Sequence, residues 1–341
     1  MKRRKLIGPL GRARTAGIRA MAAAIMGVVL TAALAGTAAA QNYPTRAIRI
    51  ILPVAAGSTV DLVPRLLANG LAAELGQSIY IENRVGASGK LATVAAIQSP
   101  PDGYTVATMT AITHGLLPAF SSDLGYDPLK DLVPIVLLTA TPVGFFVNAK
   151  VPVNSIAELA DLIRANPGKL NYGTAGIGTG HHVTAAIFLS QAGLPQSAAV
   201  QIPYRGELPA LTALMSGDVQ FMITNVGKEL VERGDLRILA TTGQARWPRF
   251  PNVPTTAEVG YPNVQYTGWI GLAAPVGTPQ PIIERLNAAA NKALQDPQVQ
   301  KVLTENGIVA RGGTPAELAD HIASEVARWK RLIAATGEKF E

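Results

Sequence analysis

The chain has 341 residues, 48% of them apolar, no cysteine and a formal charge of +7. That length and apolar content suffice for one large or two medium cores and exclude a disordered chain, and the missing cysteines exclude disulfides and metal–thiolate sites. The charge excess sits wholly in residues 1–40, on Lys2, Arg3, Arg4, Lys5, Arg12, Arg14 and Arg19 with no acid among them, so the remainder is balanced and shows no basic footprint for nucleic acid or an anionic membrane.

Residues 1–40 read as a cleavable secretory signal peptide. A basic region reaches Arg19, an apolar stretch runs from Ala20 to Gly36, and Ala38-Ala39-Ala40 precedes Gln41 as a small-residue cleavage site. The stretch is short and alanine-rich against the ~20 residues that span a bilayer, so removal is expected rather than a retained membrane helix. Arg3-Arg4 leaves twin-arginine export open beside the general route.

Beyond Gln41, strand-like runs alternate with helical ones, which predicts an α/β fold. The expected strands are Ile48–Leu52, Ile79–Glu82, Thr105–Met109, Val133–Leu138, Phe145–Asn148, Asn171–Gly173, Ala199–Ile202, Val219–Ile223, Leu236–Ala240 and Ile270–Ala273. Several are continuously apolar, as in sheets covered on both faces. Ser155-Ile156-Ala157-Glu158 reads as a capping box opening a helix that closes at Asn166-Pro167-Gly168. Thr278-Pro279 and Thr314-Pro315-Ala316-Glu317 open two more, with Ile282, Ile283, Leu286 and with Leu318, Ile322, Val326, Trp329 as buried stripes. No internal repeat or low-complexity linker divides the chain. Residues 142–148 and 265–275, apolar and flanked by Pro or Gly, are the places where it could cross between sheets.

Two loops stand out between a strand and a helix. The first, Pro53-Val54-Ala55-Ala56-Gly57-Ser58-Thr59-Val60-Asp61, combines small residues with hydroxyl donors where free N–H groups of the following helix favour an anion. Pro64 is expected in the first helical turn, which makes Asp61 an N-cap in preference to a ligand contact. The second, Gly173-Thr174-Ala175-Gly176-Ile177-Gly178-Thr179-Gly180-His181-His182, matches neither the dinucleotide fingerprint nor the phosphate loop, and taken alone reads equally as a structural turn. As a pair, the loops would set two positive helix ends across a cleft, with room for a carboxylate between.

Adjacent His181 and His182 do not face one another on a helix and have no acid or cysteine nearby, so no metal site is expected. His114 reads as a satisfied loop histidine, and His321 is assigned to the exposed side of the last helix. No nucleophile elbow or paired-carboxylate signature marks an enzyme, and no cofactor is expected.

At this point the residues closely resemble the Bug receptors, the TctC-like substrate-binding components of tripartite tricarboxylate transporters. The landmarks are Tyr43-Pro44, the Pro53–Asp61 loop, Glu82-Asn83-Arg84-Val85-Gly86-Ala87, Pro101-Asp102-Gly103-Tyr104 and Tyr126-Asp127-Pro128. Further on come Asn171-Tyr172-Gly173, His181-His182, Pro203-Tyr204-Arg205-Gly206, Pro251-Asn252-Val253-Pro254, Trp269 and Ala274-Pro275-Val276-Gly277. The resemblance implies a type 2 periplasmic-binding-protein fold of two α/β lobes joined by two crossover segments, with a ligand cleft between them. Lobe one would be residues 41–142 plus 268–341, and lobe two residues 143–267.

The resemblance further implies a periplasmic solute receptor, monomeric and non-catalytic, that takes a di- or tricarboxylate or an aromatic acid to integral-membrane transporter subunits. An orphan sensor feeding a membrane signalling protein is the alternative. Carried over by position, the ligand-binding residues are Ala55, Ala56, Gly57, Ser58 and Thr59 in one lobe, with Thr174, Ala175, Thr179, His182 and Asn225 in the other. Two departures stand out. The family's Gly-Gly-x-Thr-Asp is Gly57-Ser58-Thr59-Val60-Asp61 here, and uncharged Asn225 stands where many members carry Asp, which disfavours amino-acid ligands.

Overall fold

The computed structural model describes residues 43–121, 123–337 and 340, so the expected signal peptide over 1–40 lies outside the described residues. In chain order the strands are β1 (Ile48–Leu52), β2 (Ile79–Asn83), β3 (Thr105–Thr110), β4 (Leu132–Pro142), β5 (Gly144–Asn148), β6 (Leu170–Thr174), β7 (Ala199–Pro203), β8 (Phe221–Thr224), β9 (Leu236–Thr241) and β10 (Thr267–Pro275). The helices are α1 (Thr59–Leu75), α2 (Lys90–Ile97), α3 (Leu117–Phe120), α4 (Ile156–Ala165), α5 (Gly180–Gln191), α6 (Glu207–Ser216), α7 (Lys228–Glu232), α8 (Gln280–Leu294), α9 (Pro297–Glu305) and α10 (Pro315–Thr336).

The strands form two five-stranded sheets, ordered β2-β1-β3-β10-β4 and β7-β6-β8-β5-β9. In each, parallel pairs built by strand–helix–strand units meet antiparallel strands: β10 runs against β3 and β4, and β5 runs against β8 and β9. Each expected strand has a counterpart. The largest differences are β4 and β10, which run on to Pro142 and from Thr267 to Pro275 because they pair with each other along their whole length.

The chain passes from the first sheet to the second through Val143 and returns between Thr241 and Thr267. At that junction Thr242 donates its N–H to the Val143 carbonyl at 2.9 Å, while Tyr266 donates its N–H to the Thr242 carbonyl at 3.2 Å. The two crossings are thereby tied to each other.

The core follows the same division. Ile50, Leu67 and Leu286 fill the space where α1 and α8 cover the outer face of the first sheet. Phe146, Leu214 and Trp247 do the same on the outer face of the second. A third cluster, including Phe145, Phe188, Trp269 and Trp329, joins the inner parts of both halves. Helix α10 contacts β4 in the first half and α5 in the second. Its Thr314–Glu317 capping box is complete, and Leu318, Ile322, Val326 and Trp329 are its buried stripe as expected.

Several local readings need correction. Asp61 is not the N-cap: Ser58 is, its hydroxyl accepting from the Asp61 N–H, and Pro64 lies one turn further in than expected. There it lacks the N–H that would reach the Val60 carbonyl, and its ring is buried, as are Val63 and Leu67 of the same helix. At α4, Ser155 caps as expected, but Glu158 receives the N–H of Asn154 instead of closing the box on Ser155. His321 is half-buried, its ring 5.1 Å from that of Trp269. His114 is 1% exposed and belongs to a π-helical turn, Ile112–Leu116, where its Nδ1 pairs with the Thr113 hydroxyl at 2.9 Å.

Candidate ligand cleft

Between the sheets lies a cavity of about 530 Å³, within the size range of small-molecule sites. Its walls come from both halves: the ends of strands and the loops behind them face one another across it.

The first loop contributes Pro53, Val54, Thr59 and Val60. Gly57 turns at φ +93°, and its N–H goes to Asp61 Oδ2 at 2.9 Å. Asp61, 3% exposed, also accepts from Arg65 Nε at 2.9 Å and from Asn83 Nδ2 at 2.8 Å. Burial alone would raise its pKa, but these donors outweigh it and hold the carboxyl down at about 2. Asp61 therefore fixes the loop; its own N–H is taken by Ser58, and Thr59 and Val60 are the residues of the first turn of α1 that line the cavity.

A neighbouring segment, Val85 to Gly89, lines the cavity beside it. Ala87 and Ser88 lie at φ +46° and +53°, an unusual conformation for residues with a Cβ. Gly89 is wedged: a Cβ there would stand 2.7 Å from Thr113 Cγ2 and 2.9 Å from Pro53 Cβ. The third wall of this half is the turn after β3, where the N–H of Thr110 donates to the Thr113 hydroxyl and the N–H of Thr113 donates back to that of Thr110, both at 3.1 Å.

From the second half, Ile177, Gly178, Thr179 and His181 line the cavity, with Glu207 and Asn225. Thr179 is the N-cap of α5, its hydroxyl accepting from the N–H of His182 and donating to the Gly176 carbonyl. Tyr266, on the returning crossover, lies directly over Gly180, where a Cβ would stand 2.1 Å from Tyr266 Cζ. Only glycine fits at that helix start.

Of the residues singled out from the sequence, Thr59, Thr179 and Asn225 line the cavity. Ala55, Ala56, Gly57 and Ser58 are exposed and do not line it; they form the turn that delivers Thr59. Thr174 is fully buried and accepts from Gln201 Nε2 at 2.9 Å, Ala175 is half-buried, and neither touches the cavity.

His182, 3% exposed, points away, its Nδ1 accepting from the Gly178 N–H at 3.2 Å and its ring resting on Phe340. Burial lowers its pKa to about 4, which keeps that nitrogen an acceptor at neutral pH. Its neighbour His181 is the one in the wall. Residues that sequence reasoning missed are His181, Glu207, Tyr266 and the Thr110–Thr113 turn. The Val85–Ala87 landmark marked the strained segment without revealing its place in the wall.

Among the described residues no group of His, Cys, Asp and Glu could hold a metal ion, and no helix is long and apolar enough to cross a membrane.

Comparison with known proteins agrees with this architecture. Protein BugT of Bordetella pertussis is 33% identical over 326 residues, spanning 93% of this chain and 98% of BugT. Among solved structures, Rpa4515 of R. palustris with adipate superposes with a TM-score of 0.77 at 33% identity, covering 86% of this chain and 98% of that one. MatC from Rhodopseudomonas palustris with bound malate gives 0.75 at 32% identity, covering 85% and 100%. The fold is the type 2 periplasmic-binding fold of two α/β lobes joined by two crossovers. The profile described as "Tripartite tricarboxylate transporter family receptor" matches residues 63–338, and the chain belongs to that receptor family, with BugT among its relatives.

Proposed function

We propose that this chain is an extracytoplasmic receptor that binds a small carboxylate between its two halves and delivers it, chemically unchanged, to an integral-membrane transport partner. One observation carries the reading. The starts of α1 and α5, one behind each sheet, border the same cavity through Thr59 and Val60 on one side and Thr179 and His181 on the other. A helix start presents free N–H groups and a partial positive charge, so each is suited to an anionic oxygen. A charge at one helix end is worth about 0.3–1 kcal/mol, against the roughly 8 kcal/mol of micromolar binding. Hydrogen bonds from both halves and exclusion of water must therefore supply most of the affinity, which requires the halves to close on the ligand.

On this reading the lobes are residues 41–142 with 268–341, and 143–267, and the signal peptide takes the protein to the periplasm. Thr59, Thr179 and Asn225 contact the ligand, and the residues around them shape the two turns. The adipate and malate bound to Rpa4515 and MatC support an acid as the ligand class.

Native mass spectrometry of protein purified mildly from exporting cells, followed by a thermal-shift panel of mono-, di- and tricarboxylates, tests the proposal. A retained acid and a concentration-dependent rise in melting temperature are expected. A panel with no shift for any acid, or an acid returned chemically altered, contradicts it.

A further inference from the structure

The cavity is unevenly charged for a site that takes an anion. Among the described residues that line it there is no lysine or arginine, and Glu207 is its one carboxylate side chain. Glu207 opens helix α6, and its Oε1 accepts from the Thr224 hydroxyl and from the Asn225 N–H. Its Oε2 takes no hydrogen bond among the described residues. Among the described residues lining the cavity, no lysine or arginine is there to pair with it. His181 borders the same cavity, its Nδ1 buried and without a hydrogen-bond partner among the described residues. Burial pushes the His181 pKa down against the opposing pull of Glu207, so the ring is neutral at pH 7.

Asn225 taken alone argued against an amine-bearing ligand. The structure reverses that argument, because the Glu207 carboxylate stands at the Asn225 N–H, 3.4 Å away. An acid is present at this corner of the cleft after all, supplied from a different segment. A ligand with an anionic group at each end would set one of them against Glu207 with no cation to separate them, in a partly water-excluded site where like charges repel strongly. A ligand with one carboxylate and one cationic donor satisfies both ends: helix-start N–H groups take the acid, and Glu207 with the neutral His181 ring takes the donor.

We infer that the cleft selects a zwitterionic acid, one carboxylate joined by a short spacer to an ammonium or similar cationic donor that pairs with Glu207. This rests on the carboxylate-receptor reading and narrows it.

Calorimetry with matched probes tests it: 5-aminopentanoate against glutarate, and 4-(aminomethyl)benzoate against terephthalate, with wild type and Glu207→Gln. The wild type is expected to bind the amine-bearing member of at least one pair tenfold or more tighter than its diacid. Glu207→Gln is expected to lose at least tenfold on that member and to narrow the ratio. Equal or tighter binding of the diacids by wild type overturns the inference and leaves the receptor reading standing, as does an unchanged ratio in Glu207→Gln. Failure of every probe to bind overturns the inference, and the wider carboxylate panel then decides the receptor reading. If Glu207→Gln gives no cooperative melt, the wild-type ratio decides alone.

Discussion

Thr242 and Val143, 99 residues apart, are joined where the two crossovers meet: the Val143 N–H donates to the Thr242 hydroxyl oxygen at 3.1 Å, and the Thr242 N–H donates to the Val143 carbonyl at 2.9 Å. The same hydroxyl donates to the Tyr266 carbonyl at 2.6 Å. Thr242 is fully buried, so water cannot replace these partners. Thr242→Val keeps the shape but strands a buried N–H and a buried carbonyl, which costs about 1–3 kcal/mol. Urea unfolding is expected to show a lower midpoint at unchanged slope. An unaltered midpoint would remove this residue from the account of how the halves are joined.

Gly180 and Tyr266 make a second tight contact at the cleft. Gly180→Ala would place its methyl inside the tyrosine ring, so either the ring or the start of α5 must move. Ligand affinity is expected to fall at least tenfold and the melting temperature to drop. Because the two residues touch, the double variant Gly180→Ala/Tyr266→Ala should lose less stability than the two single losses added together. Additive losses would mean that the ring moves aside freely.

Acid should weaken the fold through two buried histidines. Burial lowers His182 to about 4 and His114 to about 3 from the ordinary 6.5. Below pH 6.5 the unfolded chain takes up protons that the folded chain does not accept until these lower values. Stability is thus fully present above pH 6.5 and lost as pH falls, by up to about 1.4 kcal/mol per pH unit for each histidine. Urea midpoints between pH 7.5 and 4.5 should follow this decline. His182→Asn, which keeps an acceptor near the Nδ1 position, should show a shallower slope, and a flat wild-type profile would be inconsistent with neutral buried histidines.

The strands were legible in the sequence because apolar runs of five or six residues between turn signals leave few alternatives, and the helix ends carried capping residues that could be read directly. The site was harder. The second loop drew attention to His182, yet neighbouring residues on a helix point about 100° apart, so the phase of α5 decides which histidine meets the cavity. That phase depends on Thr179 being the cap, which the run of glycines concealed. Asp61 was misplaced because Pro64 was held to the first turn, when burial of the proline ring sustains it one turn later. Glu207, Tyr266 and the Thr110–Thr113 turn are remote in sequence from the two loops. They reach the cavity through sheet order and crossover, which no local pattern carries.

Trp269 provides an optical report on the cleft. It lines the cavity at 1% exposure, with its Nε1 buried and, among the described residues, without a hydrogen-bond partner. Ligand entry should alter its surroundings and shift or quench the intrinsic emission, and Trp269→Phe should abolish most of that change. If the signal persists in Trp269→Phe, ligand is perturbing Trp247 or Trp329 instead, and the binding place must be sought elsewhere.

On the proposed function, the helix starts behind Thr59 and Thr179 grip one acid group from opposite sides. A crystal structure with a bound carboxylate probe tests this most directly. The probe's oxygens are expected within about 2.7–3.2 Å of N–H groups from the first turns of both α1 and α5. An acid held by one half alone, or bound outside the cavity, would contradict it.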